Sequence, residues 1–285
     1  MDKNKTLYIS DLDGTLLNLD AELSEYSIDK LNLMIENGLR FSVATARTFA
    51  SAGHLIAELE MSIPIVLMNG VLIYDVSGKS FIQVHVIPYD TVTAVIDILR
   101  SFEATGFMYE LKDGKLMTYY ESLESQPMRV FVEERRVRFN KRFQQIDSFT
   151  DLTPDHIIYF TLYDLQDRLA PVRDALTAIP GLNIVMYKDN YSPDLWYLEI
   201  FSVTASKQNA LAFLKERYGF EHIIGFGDNL NDLPMFNECD VSVAVENATA
   251  EVKAAADYIC DANHNDGVVK WIERDFLSTT GPLEA

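Results

Sequence analysis

Cysteine is nearly absent from this chain: Cys239 and Cys260 are the only two among 285 residues, and they form no CxxC or zinc-type spacing. Each sits in or beside an apolar run, where a free thiol packs as a small hydrophobe, and that usage fits a reducing compartment. Basic residues are also scarce, with 24 Lys and Arg against 43 Asp and Glu and a net charge of -19. A nucleic-acid binder draws most of its affinity from neutralising phosphates, so no nucleic-acid partner is expected. An anionic small molecule stays compatible, because a bound divalent cation reverses the local field. No stretch reaches the roughly 20 apolar residues needed to span a bilayer, and Met1 to Thr6 is too short and polar for a signal peptide. No membrane partner is expected, and the expected location is cytoplasmic. The five histidines, His54, His85, His156, His222 and His264, lack metal-ligand spacing of the HExxH kind. Repeats and low-complexity tracts are missing too. What remains is an ordinary globular composition, 48% hydrophobic and 24% charged, long enough for one or two domains with a full core.

The first third alternates short apolar runs with helical patterns. Leu7-Tyr8-Ile9 ends at Asp11, and a helix is expected from Ser24, with Ile28, Leu31 and Ile35 on one face and Gly38 as its stop. Leu39 to Thr45 reads as a second buried strand, followed by a helix to about Glu60 and a third strand at Ile65 to Met68. The last third repeats the pattern: a helix capped by Ser206 and ended by Gly219, strands at Ile223 to Phe226, Val241 to Val245 and Tyr258 to Cys260, and a helix near Thr249 to Ala256. Buried strands alternating with helices predict an α/β fold, a Rossmann-like parallel-sheet core with helices on both faces.

The middle changes character. After a helix carrying Val92, Val95, Leu99 and Phe102, two strand patterns flank Asp113-Gly114, the dipeptide suited to a type I′ hairpin. Strands at Ile157 to Tyr163 and Asn183 to Tyr187, with a helix near Leu169 to Ile179, predict an inserted α+β domain. The expected boundaries are core 1–83, α+β domain 84–190, and core again 191–285. Trp196 and Tyr197 read as core residues, and the tail after Phe276 carries little pattern.

Four features carry chemistry. Asp11-Leu12-Asp13-Gly14-Thr15 follows a strand directly, and ligands of open parallel sheets bind beyond the carboxyl ends of strands. Two carboxylates one residue apart can divide nucleophilic and proton-transfer work. Taken alone, the segment also fits a solvated acidic turn or a calcium-loop fragment, although the fifth and sixth places of such a loop would be Thr15 and Leu16 rather than a ligand and Gly. Thr45 ends the second strand, where a hydroxyl and free N–H groups of a following helix make an anion site, or simply a helix cap. Lys207 stands in a first helical turn, against the sign preferred there, which suits a residue facing an anion as well as one facing solvent. Gly227-Asp228-Asn229-Leu230-Asn231-Asp232, at another strand end, offers the hard oxygen ligands that Mg²⁺ prefers.

In this combination and order the chain resembles the haloacid dehalogenase-like hydrolases, in the Cof-type sugar-phosphatase branch with a large α/β cap. Asp11-Leu-Asp-Gly-Thr-Leu-Leu matches the first motif, Thr45 the second, Lys207 the third and Gly227-Asp-Asn-x-Asn-Asp-x-Pro-Met the fourth. Asn69-Gly70, Asn247-Ala248 and Asp266-Gly267-Val268 are similar to this branch as well. Departures stand at Ala46, Gln208 and Glu246.

The resemblance implies a Mg²⁺-dependent phosphatase acting on a small phosphorylated metabolite. Asp11 would be the nucleophile and Asp13 the acid and base. Mg²⁺ would lie between the carboxylates of Asp11 and Asp228 and the backbone carbonyl of Asp13, with Asp232 in support. Thr45, Lys207 and Asn231 would hold the phosphoryl oxygens, and the inserted domain would serve as a lid. The physics agrees, since a carboxylate nearing a phosphate at about 4 Å, with an effective dielectric of ~20, meets on the order of 4 kcal/mol of repulsion per charge pair. Two other readings stay open: a phosphomutase on the same scaffold, and a non-catalytic metal- and phosphate-binding regulator. The basic run Arg129 to Arg142 suits either contact with an anionic part of the substrate or a solvated charged face. Oligomeric state is not legible.

Overall fold

The structure, a computed structural model, describes residues 3–152 and 154–278. The expectation for the tail therefore lies, from 279 onward, outside the described residues. In chain order come β1 (Thr6–Ser10), α1 (Glu25–Glu36), β2 (Arg40–Val43), α2 (Phe49–Ala52), β3 (Ile65–Leu67), β4 (Leu72–Asp75) and β5 (Ser80–Val84). Then follow α3 (Tyr89–Ser101), β6 (Phe107–Lys112), β7 (Lys115–Tyr120), α4 (Gln126–Phe139), β8 (Gln144–Gln145), β9 (Ile157–Leu165), α5 (Gln166–Leu176), β10 (Leu182–Lys188) and β11 (Leu195–Ser202). The last stretch holds α6 (Lys207–Tyr218), β12 (His222–Gly227), α7 (Leu233–Phe236), β13 (Val241–Val245), α8 (Ala250–Ala255), β14 (Tyr258–Cys260) and α9 (Gly267–Leu277). Two compact units result, one built from the chain up to Ile82 and from Ser206 onward, the other from Gln83–Ala205.

The first unit holds a five-stranded, all-parallel sheet in the order β14-β13-β12-β1-β2, while β3, expected as a third core strand, pairs antiparallel with β4 in a separate three-stranded sheet, β3-β4-β5. Every residue of β1 is buried, which is why its sequence shows no polar alternation. The register pairs Thr6 with His222 and Ser10 with Phe226. The carboxyl ends of β1 and β12 are therefore level, and the Asp11 N–H extends the ladder to the Phe226 carbonyl at 2.9 Å. Asp11 and Asp228 consequently leave the sheet at the same edge. Ser24 caps α1 through the Ser27 N–H, but the buried line is Ser27, Leu31 and Met34, with Ile28 and Ile35 half-buried beside it.

The helix expected to reach Glu60 stops after α2. Gly53, a weak helix former, follows it, and the N–H groups of Leu55 and Leu59 then bond three residues back, to Ala52 and Ile56. The opposite miss is α9, whose start at Asp266 has no side-chain cap and a φ of 56°. It is held by burial of Val268, Val269, Trp271, Ile272 and Phe276.

The second unit carries a six-stranded sheet in the order β10-β11-β9-β6-β7-β8. The hairpin turn has Asp113 at φ 51° and Gly114 at φ 70°, as a type I′ turn requires. On one face Met108, Phe160, Leu162, Leu198 and Ile200 pack with Val92, Val95 and Leu99 of α3 and Leu169, Val172 and Leu176 of α5. Each such side chain contributes about 1.5–3 kcal/mol by burial. The expected return to the core at residue 191 is corrected here: β11 pairs antiparallel with β9 and β10, and the unit runs to Ala205. Trp196 and Tyr197, expected in a core, lie half-buried on β11, Trp196 against this same apolar cluster and Tyr197 against Phe131, Tyr163 and Tyr187. The basic run folds as α4 and the residues after it. Arg129, Arg136, Arg138 and Arg142 are exposed. Arg135 instead stacks over Phe131 at 3.5 Å and donates to the Tyr197 hydroxyl at 3.0 Å. Lys141 is buried between the rings of Tyr109 and Phe143, and burial, then the charge of Arg135, lowers its pKa to about 7. Among the described residues, no helix is long and apolar enough to cross a membrane.

Candidate active site

Three strand ends and one helix start deliver the polar side chains. Beyond β1, residues Leu12–Leu16 form a single wide turn closed by Leu17 N–H donating to the Leu12 carbonyl at 2.9 Å. Asp11 enters it in extended conformation and is 5% exposed. Beyond β12, Asn229 and Asp232 make a capping box, in which Asp232 Oδ2 accepts the backbone N–H groups of Asp228 and Asn229 at 3.0 and 3.1 Å. This closeness depends on Gly227, where an added Cβ would sit 2.6 Å from the Asp232 Cβ.

Lys207, the first residue of α6, points inward rather than to solvent. Its Nζ donates to Asp11 Oδ1 and Asp232 Oδ1, both at 2.6 Å, with the side chain wholly buried. The helix start reaches so deep because Gly70, at φ 94°, lies against it; a Cβ there would come within 2.2 Å of the Ser206 carbonyl oxygen. Asp228 Oδ1 accepts from the Thr15 hydroxyl at 2.9 Å.

Carboxylate oxygens of Asp11, Asp228 and Asp232 lie within 4.8 Å of one another. Burial pushes the Asp11 carboxyl up to about 8, with Lys207 opposing the shift and Asp232 and Asp13 adding to it. Burial, then the charges of Asp232 and Asp11, raises Asp228 in the same direction. Burial disfavours the charge on Lys207, but Asp11 and Asp232 outweigh it and hold the ammonium firmly protonated. With all three carboxylates ionised, one ammonium would leave negative charge uncompensated, which is why, beyond burial, Asp11 and Asp228 hold their protons more tightly than usual. A divalent cation with a preference for hard oxygen donors would supply the balance, and the donor set fits one.

Asp13 is not in that cluster. Its carboxylate turns to Arg47, whose Nε and Nη2 donate to Oδ2 and Oδ1, both at 2.6 Å. Thr45 is buried at the end of β2; its Oγ accepts the Arg47 N–H at 3.1 Å, and its carbonyl accepts the Asn69 N–H at 3.0 Å. Asn231 donates from Nδ2 to Asn69 Oδ1 at 3.3 Å. The turn after β1 is strapped from the other side by Asn247, which donates to the Gly14 carbonyl at 2.7 Å and accepts the Asn263 N–H at 2.9 Å.

All seven residues singled out in the sequence, Asp11, Asp13, Thr45, Lys207, Asp228, Asn231 and Asp232, therefore belong to this unit and to interlinked hydrogen bonds or one carboxylate cluster. Sequence reasoning missed the partners: Arg47 on Asp13, Thr15 on Asp228, Asn69 on Asn231. Thr15 and Asn69 sat inside quoted motifs and Arg47 lies two residues after Thr45, but nothing in their spacing indicates which side chain each one meets.

Comparison with known proteins agrees in fold and family. Residues 8–272 match the family model of the haloacid dehalogenase-like hydrolases. A 5-amino-6-(5-phospho-D-ribitylamino)uracil phosphatase of Bacillus subtilis is 25% identical over 283 residues, covering 97% of this chain and 99% of the relative. A pyridoxal phosphate phosphatase of Escherichia coli is 24% identical, covering 92% of this chain and 95% of the relative. The crystal structure of a haloacid dehalogenase-like hydrolase from Bacteroides thetaiotaomicron superimposes with a TM-score of 0.78 at 26% identity, over 94% of this chain and 98% of that one. With the match running from β1 into α9, through every residue of the site, the chain belongs to the haloacid dehalogenase-like hydrolases.

Proposed function

We propose that this protein is a Mg²⁺-dependent phosphatase that hydrolyses a small phosphorylated metabolite, a sugar phosphate or similar monoester, through a phosphoryl group carried on Asp11. The observation that carries this reading is the placement of the Asp11 carboxylate. It is buried at a strand end, bonded to the Lys207 ammonium and within 4.8 Å of two further carboxylates able to share a cation. Relatives named as phosphatases of a phosphoribitylamino-uracil and of pyridoxal phosphate support the monoester class.

In the first half-reaction a carboxylate oxygen of Asp11 attacks phosphorus. The bond from phosphorus to the ester oxygen breaks, and that oxygen takes a proton from the Asp13 carboxyl. In the second, a water oxygen attacks the same phosphorus while Asp13 takes the water's proton. The bond to Asp11 breaks, releasing inorganic phosphate and restoring the carboxylate. Phosphoryl transfer asks mainly for positioning and charge neutralisation. Asp11 and Asp228 through their carboxylates, and Asp13 through its backbone carbonyl, would hold Mg²⁺, which neutralises charge between nucleophile and phosphate. Asp232 would support this set by fixing Lys207 and the backbone of Asp228. An ammonium has three donors; two of Lys207's meet Asp11 and Asp232, and the third serves a phosphoryl oxygen. Thr45 Oγ accepts the Arg47 N–H, so its own hydroxyl proton can be donated to the phosphoryl group, as can the Asn231 amide.

The test is phosphate release from a panel of sugar phosphates, nucleotides and vitamin phosphates, with Mg²⁺ and with a chelator. It is paired with Asp11→Asn and with mass spectrometry of rapidly quenched enzyme for a phosphoryl group on Asp11. Turnover that needs the metal and vanishes in Asp11→Asn is expected. Undiminished release with chelator or in the variant overturns the reading, and isomerised sugar phosphate without released phosphate would make the protein a mutase.

A further inference from the structure

We infer that Arg47 is a positioning residue of this reaction, fixing the direction of the Asp13 carboxylate so that poor leaving groups can depart. The inference rests on the proposed phosphatase reading and adds a residue to it. Asp13 sits in the wide turn after β1 with its side chain 26% exposed, on two rotatable bonds that the turn alone does not set. Arg47 supplies the missing constraint. Its backbone is pinned at both ends, the N–H by Thr45 Oγ at 3.1 Å and the carbonyl by the Met68 N–H at 3.1 Å. Its guanidinium is anchored as well: Nη1 reaches the Ser51 carbonyl at 3.4 Å, while Nε and Nη2 grip the two Asp13 oxygens at 2.6 Å each.

A planar fork meeting both oxygens fixes a carboxylate in angle as well as distance, which a lysine ammonium cannot do. The platform beneath it is itself held in a demanding conformation, since Met68 and Asn69 adopt φ of 50° and 55°. Such backbone strain persists where surrounding structure enforces it.

The consequence is selective. When the P–O bond breaks, an alkoxide must receive the Asp13 proton as it leaves, whereas nitrophenolate is stable in water without one. A loosened Asp13 therefore harms alkyl esters more than aryl esters. A misplacement near 1 Å costs about 10²-fold in such transfers.

The experiment measures kcat/KM for glycerol phosphate and for p-nitrophenyl phosphate on the same preparations of wild type, Arg47→Gln and Arg47→Lys. The alkyl-to-aryl ratio does not depend on how much of a preparation is folded, and the lysine variant keeps the charge in place. The expected result is a fall of this ratio by about tenfold or more in both variants, with partial recovery when methylguanidinium is added to Arg47→Ala. An unchanged ratio, with both substrates losing equally, overturns the inference and makes Arg47 a structural or phosphate-contacting residue. Wild-type protein inactive on every ester, or full turnover in Asp11→Asn, would instead end the phosphatase reading.

Discussion

Replacing Lys207 by methionine keeps most of the side chain's volume and deletes one charge, so it isolates what the ammonium does. In the structure that ammonium holds Asp11 and Asp232 at 2.6 Å each with no exposure to water. Breaking a buried ion pair from one side costs about 3–5 kcal/mol, because a carboxylate stays behind uncompensated. Here the lower end applies, since Asp232 keeps two backbone N–H donors and the unrelieved charge is mainly that of Asp11. About 3 kcal/mol corresponds to a Tm lower by roughly 6–12 °C for a domain of this size.

The sign with pH follows from Asp11. Its folded-state pKa is already raised to about 8 by burial, and loss of Lys207 raises it further. The folded protein then holds a proton that the unfolded chain gives up near pH 4, so stability falls as pH rises through that window. The variant should lose least near pH 6 and most near pH 9. Turnover should fall about 10²–10³-fold at any pH, the scale of losing one preorganised charge partner of a transition state. Calorimetry at pH 6 and 9 checks the stability, and the double variant Asp11→Asn/Lys207→Met checks the cause. If the double variant is no more stable than the single one, or if Lys207→Met melts with wild type at pH 9, the electrostatic account of this site is wrong.

Two predictions concern packing and backbone rather than the reacting groups. Lys141 is buried with its pKa lowered to about 7, so between about pH 7 and 10 the unfolded chain binds the extra proton, and wild-type stability gains about 1.4 kcal/mol per pH unit from this group. Lys141→Met should therefore raise the Tm at pH 6, with a gain that shrinks by pH 10; a constant difference across that range refutes the shift. Gly70→Ala and Gly114→Ala both place a side chain at positive φ, but only the first meets backbone, at 2.2 Å from the Ser206 oxygen. Gly114→Ala should cost about 1–2 kcal/mol and Gly70→Ala about 3 kcal/mol or more. Equal denaturation midpoints would contradict the close approach of Gly70 to the start of α6.

Local signals were enough for much of the architecture. β13 and β14 fall where their apolar runs lie, the caps Ser24, Ser206 and Thr249 each accept a hydrogen bond from the first turn of their helix, and Asp113-Gly114 makes its turn. These depend on a few neighbouring residues, so sequence carries them. Other elements were misjudged: α9 begins uncapped, α4 is capped by Ser125 but its polar, basic composition hides Phe131 and Val132, and β11 belongs with β9 and β10 through pairings that cross long stretches of chain.

The same division runs through the site. Sequence alone picked out where acidic and amide side chains concentrate, because a DxDGT segment after one strand and a GDNxND segment after another are dense in carboxylates that lie at strand ends once the sheet forms. Only the tertiary structure decided how they divide. It sent Asp13 to Arg47 and out of the carboxylate cluster, and it turned Lys207 inward between Asp11 and Asp232. Which carboxylate meets which cation depends on register between β1 and β12 and on the depth of the α6 start, distances set across some two hundred residues of chain, and no local spacing encodes them.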